Sequence, residues 1–196
     1  KASEIHLGDY LPANLREIER WIARDEAAHD WRPFVRYTLV CEGLARPTEA
    51  QISEREDATR AKITAMFEVD IRRPDPLGQR DAAAYGTVIS AYCADSATGD
   101  RGRWETYMKR IAGLVRPGGT LLTAALGRSH GYLVGGKTFP SPNVDENDMR
   151  AVLEPCFGRE NLTVEACELA EQGSHGYASI VLARAQRACP RFFGNA

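Results

Sequence analysis

RPGGTLLTAAL, residues 116–126, is the stretch whose reading decides the fold. Upstream of it Trp104, Tyr107, Met108, Ile111 and Leu114 recur at i, i+3, i+4, i+7 and i+10, the spacing of one helix face. Arg116-Pro117 ends that helix, because proline cannot continue it. Gly118-Gly119 supplies a tight turn, and TLLTAAL follows as a short apolar run that predicts a buried strand. A helix returned by a turn onto a buried strand is half of a crossover unit. The other half is YGTVISAYC, residues 85–93, apolar and rich in β-branched residues, followed by a loop, ADSATGD. Parallel strands joined by such crossovers belong to α/β sheets.

The flanks extend this pattern. Residues 3–8 (SEIHLG) alternate like a short strand, and Pro12 suits the first turn of a helix carrying Leu15, Ile18 and Ile22 on one face. HDWRPFVRY reads as an aromatic-rich connection into an extended stretch. A helix is predicted from about Glu49 to Met66, then a strand end at MFEVDI and a loop at RRPDPLG. Residues 127–144 read as a Gly/Ser/Pro-rich loop. Asp145 can cap a helix bearing Met149, Val152, Leu153 and Phe157. LTVEACEL and YASIVLARA, joined by AEQGSHG, read as a hairpin. The sheet is thus expected to be mostly parallel with an antiparallel C-terminal edge, in one domain over residues 1–186 with a tail at 187–196.

The chain has 196 residues, 43% hydrophobic and 27% charged, with a net charge of -2. Neither nucleic acid nor an anionic membrane is suggested as a partner by that charge. No run approaches the roughly 20 apolar residues of a membrane span. No signal peptide is visible at the start. The excess of arginine over lysine reads as codon bias in a GC-rich genome, hence a bacterial source. The five cysteines (Cys41, Cys93, Cys156, Cys167, Cys189) have no CxxC spacing, so reduced thiols in a cytoplasmic protein are expected, with no structural zinc.

In open α/β sheets ligands bind beyond the carboxyl ends of the strands. After the first strand stands Asp9, whose carboxylate can accept two ribose hydroxyls or serve as a turn residue. After the FEV strand stands Asp70-Ile71: a carboxylate, a backbone N–H and an apolar side chain that suit an adenine edge, or an ordinary loop. After VISAY comes Cys93-Ala94-Asp95, and after LLTAAL comes Gly127-Arg128-Ser129-His130.

On GDYLPANLREIERWI, HDWRPFVRY, VDI…PLG, SAYCADS and LVRPGGTLLTAALG…YLVGGKTF, in that order, the chain resembles the nicotinamide, phenylethanolamine and indolethylamine N-methyltransferases. The resemblance covers nearly all of it except the tail. It implies a Rossmann-like class I fold and S-adenosylmethionine as methyl donor, with S-adenosylhomocysteine as product. Asp9 and Tyr10 match the acidic-aromatic pair at the ribose, and Asn14 a nearby asparagine. Asp70 and Ile71 match the adenine-side pair. Ala91, Tyr92 and Cys93 match the lining of the donor's sulfur end. Asp95 matches an acid near the substrate amine. Tyr132, Ser141 and Ser129 match substrate-pocket positions, Tyr92, Asp95 and His175 are expected to bind substrate with them, and His130 lies in a loop nearby. Two family acids are replaced, by Ala124 and Gly136, so the pocket has changed.

The resemblance also implies a central first strand and a glycine-rich turn that precede residue 1 and are not among these 196 residues. Without that strand the sheet has a gap, whose unpaired groups cost about 1–3 kcal/mol each when buried. A fragment of a longer chain, a sheet completed by another polypeptide, and a decayed non-catalytic relative that only binds are the alternatives. Gly131–Thr138 also satisfies G-x-x-x-x-G-K-[ST], the phosphate-loop pattern. That chemistry needs a helix starting at the lysine, and Pro140 and Pro142 oppose one.

The expected function is methyl transfer to the nitrogen of a small amine or N-heterocycle, with Asp95 receiving a proton directly or through water. No metal is expected, and a monomer is slightly favoured. Trp21, Trp31 and Trp104 are expected to pack, His6 and His29 to be structural, and Glu54–Asp57 to form a solvated helix face.

Overall fold

The computed structural model describes residues 2–78, 84–169 and 176–189. Two compact units result, Lys1–Asp70 and Ile71–Ala196.

In the first unit β1 (Ile5–Asp9) pairs in parallel with β2 (Ile63–Glu68), and the chain between them forms α1 (Pro12–Ile22), α2 (Arg32–Cys41) and α3 (Glu49–Arg60). Pro12 opens α1, where its missing N–H needs no partner. Thr48 and Gln51 close a capping box at the start of α3.

Three expectations change here. The extended stretch expected after HDWRPFVRY is α2: Pro33 stands in its first turn and Leu39 is buried. Its β-branched and aromatic residues favour strands only where a pleated neighbour exists to pack on. The helix expected to reach Met66 stops at Arg60, because Ile63 onward is taken into the ladder with β1. The acidic face of α3 is also not wholly solvated. Glu56 is buried, accepts from the Trp21 indole N–H at 3.3 Å and lies 3.6 Å from the Arg60 guanidinium. Arg60 in turn stacks over Trp21, 4.2 Å from the ring centroid.

The second unit runs β3 (Tyr85–Ala91), α4 (Cys93–Ser96), α5 (Arg101–Gly113), β4 (Val115–Gly127), β5 (Gly131–Val134), β6 (Lys137–Pro140), α6 (Glu146–Phe157), β7 (Leu162–Glu168) and β8 (Ser179–Gln186). Four strands form one sheet in the order β3-β4-β8-β7. β3 and β4 are parallel, and β8 is antiparallel to β4 and β7, so the C-terminal hairpin joins as expected. Trp104, Met108 and Ile111 of α5 and Met149, Val152 and Leu153 of α6 are buried together with Val115, Leu121, Val181 and Ala185 of the sheet. The opposite face carries Ile89, Leu122 and Leu182, all exposed.

RPGG does not simply precede the strand. Val115 already pairs with Tyr85, and the next partners are Thr87 and Thr120, so residues 116–119 bulge out of the ladder. Gly118 takes φ +75, and the bulge is tied to the end of β8 by Gly118 N–H to Arg187 C=O and Arg187 N–H to Gly119 C=O. A Cβ on Gly119 would stand 2.9 Å from the Arg116 carbonyl oxygen and 3.0 Å from that of Gly86. The 127–144 loop contains a hairpin, β5–β6, closed by Gly135 and Gly136 at φ +55 and +76, the positive pair a tight primed turn requires. The start of ADSATGD likewise belongs to the single helical turn α4, which opens at Cys93.

Candidate active site

At the carboxyl end of β1, Asp9 accepts from the Leu11 N–H on Oδ1 (2.7 Å) and from the Asn14 side-chain amide on Oδ2 (3.0 Å). These two bonds orient the carboxylate and leave each oxygen a further acceptor position. Asn14 therefore acts through Asp9. Tyr10 is 47% exposed beside it. Asp70 closes the first unit, while Ile71 opens the second, buried, with its carbonyl accepting from Arg110 at 2.9 Å.

The second constellation lies at the carboxyl ends of β3 and β4. Ala91 is the last residue of β3 and pairs with Ala124. Tyr92 then turns the chain sharply. It sits in the left-handed region (φ 57°, ψ 20°), a strained conformation for a tyrosine, held by its N–H donating to the Ala124 carbonyl at 2.8 Å. Its phenol is pushed above the ordinary value by burial, then by Tyr177 and Asp95. Cys93, exposed, opens α4.

Asp95 is 1% exposed, and its Oδ2 accepts from the Leu126 N–H at 2.9 Å. Burial pushes its carboxyl up to about 6, against the lowering effect of the Leu126 N–H and of its own. The side chain thus ties α4 to the end of β4. At that exposure an acceptor is reached only through water or an intervening group.

Beyond β4 the residues of the expected substrate pocket diverge. Ser129 is fully buried, and its hydroxyl donates back to the Gly131 carbonyl at 3.0 Å. Ser141 is 4% exposed, and its Oγ has no hydrogen-bond partner among the described residues. Tyr132 stacks on Phe139 across the β5–β6 hairpin at 5.6 Å and 21°. Lys137 lies in β6, so no helix begins at the lysine of the phosphate-loop pattern, and that reading fails. His175 lies outside the described residues.

Tyr177 reaches the same end of the sheet without following a parallel strand in sequence: β8 runs antiparallel to β4, so the residues just before it stand at the carboxyl end of β4. Among the described residues no helix is long and apolar enough to cross a membrane, and no group of three or more His, Cys, Asp and Glu residues could hold a metal ion. Among the described residues none of the five cysteines forms a disulfide.

A model of the NNMT/PNMT/TEMT family matches residues 1–181. Indolethylamine N-methyltransferase of Mus musculus is 30% identical over 77% of this chain and 56% of its own. Phenylethanolamine N-methyltransferase of Macaca mulatta is 28% identical over 76% and 52%. Nicotinamide N-methyltransferase of Homo sapiens is 27% identical over 86% and 61%. All three are mammalian and lend no support to a bacterial source. The chain spans a little over half the length of these relatives. Among solved structures, the S-adenosylmethionine-dependent methyltransferase SibL in its apo form aligns over 94% of this chain and 43% of its own, at a TM-score of 0.48 and 14% identity. On the family match across residues 1–181, this chain belongs to the NNMT/PNMT/TEMT family.

Proposed function

We propose that the whole protein transfers a methyl group from S-adenosylmethionine to the nitrogen of a small amine or N-heterocycle. The observation that carries this reading is the Asp9 carboxylate, oriented by Leu11 and Asn14 at the end of a parallel strand with one acceptor position left on each oxygen. That arrangement fits the vicinal hydroxyls of a ribose. When bound, the donor supplies an electrophilic methyl on a sulfonium, which needs no metal. Asp9, oriented by Asn14, and Tyr10 take the ribose, Asp70 and Ile71 the adenine edge, and Ala91, Tyr92 and Cys93 the sulfur end.

Protein residues contribute mainly by positioning, holding nitrogen and methyl in line and excluding water. A protonated amine has no lone pair and must lose a proton before it attacks. Asp95, raised to about 6, is a better base than an ordinary carboxylate and receives that proton through water. Tyr132 and Ser141 border the acceptor. With Ala124 and Gly136 in place of acids, neither nicotinamide nor phenylethanolamine is assigned as the acceptor. We place the enzyme in the cytoplasm, acting without nucleic acid or membrane.

The test is to incubate the full-length protein with S-adenosylmethionine and nicotinamide, phenylethanolamine or tryptamine, and to detect methylated product by mass spectrometry. Binding of S-adenosylhomocysteine is measured in parallel by calorimetry. Binding together with N-methylation of at least one acceptor is expected. Absence of both sinks the reading, and binding without turnover leaves a non-catalytic relative.

A further inference from the structure

We infer that Tyr177 is an acceptor-binding residue that, with Tyr92, walls the nitrogen-acceptor site at the carboxyl ends of β3 and β4 and selects acceptors by its ring face. This rests on the methyl-transfer reading above, and it adds a residue that the family resemblance does not supply.

The placement follows from the ladder. β8 is antiparallel to β4, Ser179 pairs with Gly127, and the Ala178 N–H donates to the Gly127 carbonyl at 3.1 Å. Tyr177 therefore stands just past the end of β4. Its backbone is fixed on both sides. Ala178 also accepts from the Leu169 N–H at 3.1 Å, at the end of β7. Gly176, at φ +85, abuts the Gly131 carbonyl so closely that no Cβ fits there. The same missing Cβ would lie 3.4 Å from the Tyr132 Cα, so Tyr177 is held against the base of the hairpin that carries Tyr132.

Tyr92 approaches from the other flank of β4. Its left-handed backbone and its bond to Ala124 turn it off the strand, and it remains 37% exposed. β3 and β8 lie about 10 Å apart across β4, a distance within the combined reach of two tyrosine side chains. Burial first, and then Tyr177 and Asp95 of α4, raise the Tyr92 phenol.

Two phenols and one buried carboxyl suit a particular guest. In the reaction the nitrogen lone pair forms the N–C bond, the C–S bond breaks, and its electron pair stays on sulfur. Positive charge thus passes from sulfur to nitrogen, and a primary or secondary amine then releases a proton to solvent. Aromatic faces attract the nitrogen as it becomes cationic. They also stack on an aryl acceptor. The expected class is therefore an amine or N-heterocycle that presents an aromatic ring or a cationic nitrogen to Tyr177.

The full-length protein is compared with Tyr177→Ala and Tyr177→Phe, using tryptamine, phenylethanolamine and nicotinamide as acceptor probes. For each probe that is methylated, Tyr177→Ala should raise KM at least tenfold. Tyr177→Phe, which keeps the ring, should stay within about threefold, and S-adenosylhomocysteine affinity should stay within about twofold in both. An unchanged KM in Tyr177→Ala, or equal damage in the two variants, overturns the inference. Independently, tyrosinate absorbance is titrated, with Tyr92→Phe identifying the Tyr92 component. Tyr177→Phe should lower the Tyr92 midpoint, and an unchanged midpoint overturns the pairing. If no probe is methylated by the unaltered protein, the transfer reading fails by itself and this titration still decides whether Tyr177 faces Tyr92.

Discussion

Replacing Asp95 with asparagine should remove a pH dependence that the fold has built in. The folded carboxyl titrates near 6, against 3.8 for the unperturbed group, and burial is the main cause. Between those values the native state binds more protons than the unfolded chain. Its stability therefore declines as pH rises through that window, and levels off above about 6. A shift of about two units at about 1.36 kcal/mol each amounts to roughly 3 kcal/mol between the ends of the window. Asparagine keeps an oxygen to accept the Leu126 N–H but carries no charge to desolvate. Urea unfolding followed by circular dichroism, from about pH 4 to about pH 8, reads the difference. The wild type should lose roughly 3 kcal/mol more than Asp95→Asn across the window. Parallel curves, differing by a constant within about 0.5 kcal/mol, would refute the claim that a buried, desolvated carboxylate sits at this strand end. In the assay of methyl transfer the same variant should lower turnover at least tenfold while S-adenosylhomocysteine affinity holds. Equal rates would remove Asp95 from the chemistry.

Four other outcomes are expected. Asp9→Ala should weaken S-adenosylhomocysteine binding at least tenfold by calorimetry, and Asn14→Ala less, since Asn14 acts by orienting Asp9; an effect of Asn14→Ala as large as that of Asp9→Ala would contradict this order. Gly119→Ala should cost about 1–3 kcal/mol in denaturant unfolding, because its Cβ meets two carbonyl oxygens and the buried Val115 side chain. Trp104→Ala, at 0% exposure beneath the sheet, should cost about 3–5 kcal/mol by the same measurement. Adenosine triphosphate should not stabilise the protein in a thermal shift, and Lys137→Ala should change nothing in that experiment, because the lysine sits in a hairpin strand.

Much of the fold was legible because it is written in local periodicity. The α5 face, the Asp145 cap of α6, and the strands β3, β7 and β8 all follow from spacing and turn residues within a few positions. The places that were misread are those where a distant partner decides. Ile63 onward became strand because β1 was there to pair with it. Glu56 is buried because the Trp21 indole, 35 residues away in sequence, donates to it and Arg60, one helical turn on, lies beside it. The β5–β6 hairpin hides behind Gly135-Gly136, whose flanks show no clean alternation.

The candidate site divides in the same way. By itself the sequence determined which residue types stand after each parallel strand, because a strand's end is a local event marked by Asp9, Asp70 or Tyr92-Cys93. It also determined the family, because a motif order survives in the chain itself. The tertiary structure alone decided what those groups are free to do. It turned the Ser129 hydroxyl back on Gly131, spent Asn14 on Asp9, and buried Asp95 against Leu126 with its carboxyl raised. It also brought Tyr177 to the same end of the sheet as Tyr92. The physical reason is that burial and antiparallel registry are properties of neighbours across space, and no spacing along the chain encodes them.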